Sequence, residues 1–113
     1  MELIKTVPPR LFKVGLNGKI TIADTAKIKL ESNEQVTFIT EESNEYDVVS
    51  KDWGFYATPS MNGRLKKFGF KTALVKNSFN KYYIMIVDCN HMDSFNSYLT
   101  EEKQIVIEWL DEK

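Results

Sequence analysis

Cysteine and histidine each occur once in this 113-residue chain, as Cys89 and His91. A single cysteine excludes an internal disulfide framework and any thiolate zinc site built by one chain. A single histidine excludes a two-histidine metal centre in the monomer. Long apolar runs are also missing. The longest, Tyr82 to Val87, is far short of the ~20 residues a membrane helix needs. Met1 to Lys13 contain no apolar core of the secretory kind, so the expectation is a cytoplasmic protein. No internal repeat, low-complexity tract or alternation of strands with helices is readable, which excludes solenoids and doubly wound nucleotide-binding folds.

What is present is an ordinary globular composition. Hydrophobic residues make up 42% of the chain, enough for a core, so extended disorder is excluded. The length fits one domain, residues 1–113. The net charge of −1 conceals a strong segregation. Residues 1–52 hold seven Lys/Arg against nine Asp/Glu; residues 53–87 hold six and none; residues 88–113 hold two against seven. An acid-free span of this length reads in two ways. It is a surface that attracts an anionic partner, or it packs beside the acidic C-terminal segment and the two neutralise each other.

Residues 1–10 read as a lead-in, because Pro8-Pro9 remove two backbone donors. From Leu11 a period of two begins, with Phe12, Val14 and Leu16 on one face and, after Asn17-Gly18, Ile20 and Ile22 on one face. That dipeptide predicts a type I′ hairpin turn. Further strands are expected at 27–30, 35–40, 46–49, 53–57, 71–76 and 82–88, with one or two helical turns between Ser60 and Lys67. Tyr82 to Val87 is apolar on both faces, the pattern of a central, covered strand. After Asp88 the pattern turns helical. Asp93 is placed to cap a helix carrying Phe95, Tyr98 and Leu99, and Thr100 to cap a second carrying Ile105, Val106, Trp109 and Leu110. The fold class is therefore α+β: a mostly antiparallel curved β-sheet or small barrel over 11–88, followed by C-terminal helices over 91–112.

The densest constellation of functional residue types is Trp53 to Leu65. It runs from an aromatic strand into a corner of Ser60, Asn62 and Arg64, with Lys66, Lys67 and Lys71 following. Arg64 offers a planar fork to a carboxylate or phosphate, and Trp53 and Tyr56 offer rings for stacking. The bland alternative is a strand-to-helix corner, which uses the same Pro, Ser, Asn and Gly. Cys89 and His91 are two apart and would make a nucleophile–base pair only if something held them. A metal site needs more ligands than this stretch holds. No catalytic set and no cofactor motif is readable, so the balance leans away from an enzyme.

Lys51 to Leu65, together with Phe70 to Asn77, resembles a small family of uncharacterised bacterial proteins associated with gene clusters for surface glycans of the sialic-acid type. The resemblance covers about residues 11–110. It implies a bacterial cytoplasmic setting and a link to anionic sugars or nucleotide sugars, and it transfers no catalytic residue. Three function classes follow. The first is a binding or accessory protein that recognises an anionic sugar, a nucleotide sugar or a partner enzyme through residues 53–87, itself a monomer or an oligomer. The second is a nucleic-acid-binding module, disfavoured by an isoelectric point near 5.8. The third is a small sugar-metabolism enzyme with its site around Arg64.

Overall fold

The computed structural model describes residues 1–113 and is α+β. Eight strands form three small antiparallel sheets rather than one curved sheet or a closed barrel. They are β1 (Glu2–Val14), β2 (Ile20–Lys29), β3 (Gln35–Ile39), β4 (Glu45–Lys51), β5 (Gly54–Ala57), β6 (Phe70–Lys76), β7 (Tyr82–Asp88) and β8 (Ile105–Trp109). The helices are a single turn, α1 (Arg64–Lys67), and α2 (Met92–Glu101), which follows a 3₁₀ turn at Cys89–His91. No helix is long and apolar enough to cross a membrane.

The chain divides into two compact units. One comprises Met1–Thr37 and Asp47–Ala57; the other comprises Phe38–Tyr46 and Thr58–Lys113. In the first unit, β1 and β2 make a long hairpin whose register brings Phe12 opposite Ile22 and Val14 opposite Ile20, the shared face expected from the alternation. The expected lead-in is strand instead. Residues 2–5 pair with 26–29, and the register shifts between Lys5 and Arg10, across the Pro8-Pro9 pair that has no N–H to give the ladder. The turn also departs from the two-residue form. It spans Gly15 to Lys19, with Gly15 and Gly18 rather than Asn17 in the left-handed region, and Gly18 N–H donates to the Gly15 carbonyl at 3.2 Å. The β4–β5 hairpin does turn on two residues, Asp52 and Trp53, between the paired Lys51 and Gly54. Hydrogen bonds from Asn33 N–H to the Ser50 carbonyl (2.7 Å) and from Ser50 N–H to the Glu34 carbonyl (2.9 Å) tie the β2–β3 connection to β4.

In the second unit the core gathers on β6, the central strand of the order β7-β6-β8. Phe70, Thr72, Ala73 and Val75 are buried, and across the register from Lys71 so is Val87. Consecutive buried residues mean that both faces of β6 are covered over this stretch. Leu65 is fully buried and anchors α1, a contribution of roughly 2–3 kcal/mol.

Two expectations for this unit are overturned. Tyr82–Val87 is an edge strand and not the central one: Tyr82, Tyr83 and Ile84 are exposed, and only Val87 is buried. The second C-terminal helix is absent, and 105–109 is a strand paired to β6 from Ala73↔Trp109 to Lys76↔Ile105. Thr100 lies inside α2 and its hydroxyl donates to the Asn96 carbonyl. The helix ends where Lys103 takes a φ of 52° and Gln104 N–H donates to the Leu99 carbonyl. Ile105-Val106-Ile107 is β-branched throughout, so once the helix stops, the open edge of β6 decides the conformation. A register shift between Leu74 and Val75 resets the facing, which is how a stripe with helical spacing fits a strand.

Candidate functional site

The residues singled out in the sequence fall into three groups. Trp53 and Tyr56 belong to the first unit, at the turn and on the last strand of the β4–β5 hairpin. Their rings lie nearly parallel, 10° apart with centroids 5.8 Å apart, and both are exposed. A flat exposed aromatic pair of this kind is a surface on which a base or a sugar ring can stack.

Asn62, Lys66 and Lys71 form the second group, and all three reach the C-terminal segment. The Asn62 amide donates to the main-chain oxygen of Lys113 (3.4 Å), and the Lys66 ammonium to the Asp111 carbonyl (3.4 Å). Lys71 sits between the Asp111 carboxylate (3.1 Å) and Glu112 (3.4 Å), with its ammonium 4.7 Å from the centre of the Trp109 ring. Asp111 is buried, and its other oxygen accepts the Thr72 N–H at 3.0 Å. β8 ends opposite Ala73, and the carboxylate takes up the next main-chain donor that a longer β8 would have met. Burial would raise the Asp111 pKa. The Thr72 N–H and the Lys71 ammonium outweigh it, and the carboxyl titrates below the usual aspartate range. Lys71 is held above the usual lysine value, chiefly by its hydrogen bond to Asp111. Part of the acid-free span therefore neutralises the acidic tail, as the structural alternative required.

Ser60, Arg64 and Lys67 make up the third group. All are exposed, at the corner leading into α1 and on α1 itself. The Ser60 carbonyl accepts from Gly63 N–H (3.2 Å) and Leu65 N–H (3.1 Å), which starts the helical turn. Arg64 and Lys67 are three apart and so share a face of that turn. The Arg64 guanidinium carbon lies 5.6 Å from the centre of the Phe68 ring. The corner thus keeps two cations and a hydroxyl at the surface while Leu65 holds the backbone beneath them.

One cluster escaped the sequence. At the β3–β4 turn, Glu42 comes against His91, with Nε2 and Oε1 2.8 Å apart. Asp88, at the end of β7, lies beside them: one potential ligand atom from each of the three residues falls within 4.8 Å of the others. Asp88 accepts from the Asn44 amide (2.5 Å) with one oxygen and from the Asn90 N–H (2.9 Å) with the other. The His91 pKa is raised, first by its hydrogen bond to Glu42, then by the charges of Glu42 and Asp88. Asp88 and His91 were legible as neighbours in sequence. Glu42 lies 49 positions from His91 and carried no local signal. Cys89 is exposed and unpaired with any cysteine.

No family model matches the chain, and neither a curated protein nor a solved structure matches it.

Proposed function

We propose that this chain is a small binding protein, not a catalyst, which recognises an anionic ligand through the corner and outer face of α1. The observation that carries this reading is the pairing of Arg64 and Lys67 on one exposed turn anchored by the fully buried Leu65. An anchored turn holds its cations in place, so an anion meets a preset charge pair at a lower entropic cost than with cations on a mobile loop. Arg64 supplies the planar fork that suits a carboxylate or phosphate, and Ser60 supplies a neutral hydroxyl. The ligand class is an anionic sugar or nucleotide sugar, as the resemblance of Lys51–Leu65 to the bacterial glycan-cluster family implies. A bacterial cytoplasmic setting follows from the same resemblance.

Calorimetry and thermal shift with a panel of acidic sugars, nucleotide sugars and free nucleotides test the proposal. A binding ligand raises the melting temperature by mass action. Arg64→Lys is expected to preserve the melting temperature of the free protein and weaken binding about tenfold, because lysine does not reproduce a bidentate contact. No heat of binding anywhere in the panel at millimolar ligand, or equal affinity for wild type and Arg64→Lys, would overturn it.

A further inference from the structure

We propose that Glu42, Asp88 and His91 form a binding site for one divalent transition-metal ion of the Zn²⁺ class, separate from the α1 corner. The three side chains come from the β3–β4 turn, the end of β7 and the 3₁₀ turn that precedes α2, and all lie within the same compact unit. Two properties set the cluster apart from an ordinary surface ion pair. The first is its ligand chemistry. An imidazole nitrogen beside two carboxylates is a borderline donor set that Zn²⁺, Co²⁺ or Mn²⁺ takes in preference to Mg²⁺ or Ca²⁺, which favour oxygen alone. The second is its charge. Glu42 has His91 as its only cationic partner, and the partners of Asp88 are the neutral Asn44 amide and Asn90 N–H. Once the metal has displaced the imidazole proton, the two carboxylates balance the charge of a divalent ion.

The geometry suits an open site. Around a tetrahedral ion that holds its ligands at about 2.0–2.1 Å, donors stand about 3.3 Å apart, so the Glu42–His91 contact, now 2.8 Å, opens slightly and Asp88, whose ligand atom lies within 4.8 Å of both, closes on the metal. On binding, the proton that Nε2 shares with Glu42 leaves to solvent, and the freed lone pair goes to the metal. Asp88 keeps both of its hydrogen bonds, since each carboxylate oxygen has a second lone pair. Asn44 and Asn90 then act as the outer partners that hold a ligating carboxylate in one orientation. Three protein ligands leave at least one position for water. The exposure of Glu42 and His91 gives that position direct access to solvent.

The full chain offers a direct test because it has one histidine. ZnCl₂ titrated into the protein at neutral pH should give one equivalent by calorimetry. The lone imidazole resonance should shift or exchange in step with it, and CoCl₂ should produce visible absorption bands. Glu42→Gln and His91→Asn should each weaken Zn²⁺ binding about tenfold or more with unchanged far-ultraviolet circular dichroism. Both sites are exposed, so these two variants decide the matter even if Asp88→Asn disturbs the turn that Asp88 caps. A hundredfold excess of Mg²⁺ should not displace the Zn²⁺. The proposal is overturned if wild type takes up no Zn²⁺ at tens of micromolar, if the imidazole resonance stays unmoved while metal binds, or if either exposed variant binds as tightly as wild type.

Discussion

Replacing Asp111 should unfasten the C-terminal segment from β6, and the contacts fix how large the loss is. The carboxylate is shielded from water, with no exposed side-chain surface, whereas Lys71 keeps about a quarter of its own. In Asp111→Ala, the Thr72 N–H loses its acceptor inside a residue only 1% exposed. Leaving a buried donor unmade costs about 1–3 kcal/mol. The Thr72 hydroxyl, already buried without a partner, offers no compensation as placed. The ion pair adds less than a fully buried one, since Lys71 still has Glu112 and can turn to solvent. The sum is about 2–4 kcal/mol, a large share of the stability of a chain this size and roughly 10 °C in melting temperature. Asp111→Asn keeps an oxygen for Thr72 and removes only the charge, so it should cost about 1–2 kcal/mol. Urea denaturation of both variants at pH 7 measures the two values. Acid supplies a second arm. The folded Asp111 pKa is depressed, so its contribution is present above the unfolded value near 3.9 and disappears as pH falls through the folded value below that. The gap between wild type and Asp111→Asn should therefore narrow below about pH 4. A cost below about 1 kcal/mol for Asp111→Ala, or equal costs for the two substitutions, would refute the account.

Two further outcomes are expected. The imidazole of His91, followed by NMR in metal-free buffer, should titrate above the ordinary histidine value and move back toward it in Glu42→Gln and in high salt, since both partners are exposed. Its raised value stabilises the fold fully below about pH 6.5, and that contribution is lost as pH rises through the folded value; a midpoint at or below 6.5 refutes the contact. Trp109→Ala should cost about 2–3 kcal/mol, below the range for a fully buried tryptophan. The ring is half-buried and meets Phe95 edge-on at a centroid distance of 5.9 Å, with Lys71 over its face. A thermal melt showing less than about 1 kcal/mol would mean that β8 is not docked as described.

The strands were legible because their signals are local. Alternation at Phe12, Val14, Ile20 and Ile22 sets the register of the β1–β2 hairpin, and the Asn77–Asn80 turn is written in its residue types: the Asn77 side-chain oxygen accepts from both Phe79 and Lys81 N–H. The failures are places where a longer-range effect overrides the local one. Tyr82–Val87 is apolar on both sides, yet pairing on both sides went to β6, whose sequence is no more apolar. Strand order depends on which edges are still open when the last segment arrives, and no window of residues encodes that. Ile105, Val106, Trp109 and Leu110 have helical spacing and β-branched chemistry at once. The stop at Lys103 and the free edge of β6 settle the conflict in favour of a strand.

The charge pattern illustrates the same division at the level of the site. Six cations without an acid between 53 and 87 look alike in sequence, but the fold gives them different work. Lys71 and Lys66 lie where the chain returns, and they are drawn onto Asp111. Arg64 and Lys67 are exposed on a turn whose inner side is Leu65. At about 100° per residue, placing Leu65 inward puts Arg64 and Lys66 on the two flanks of α1 and Lys67 on its far side; what sets Lys66 apart is its contact with the Asp111 carbonyl. If the division is right, the two functions are separable by mutation. Lys71→Met should lower stability and leave anion affinity intact, and Arg64→Lys should do the reverse. A Lys71→Met protein that folds but loses its anion would place Lys71 in the binding surface and end the distinction.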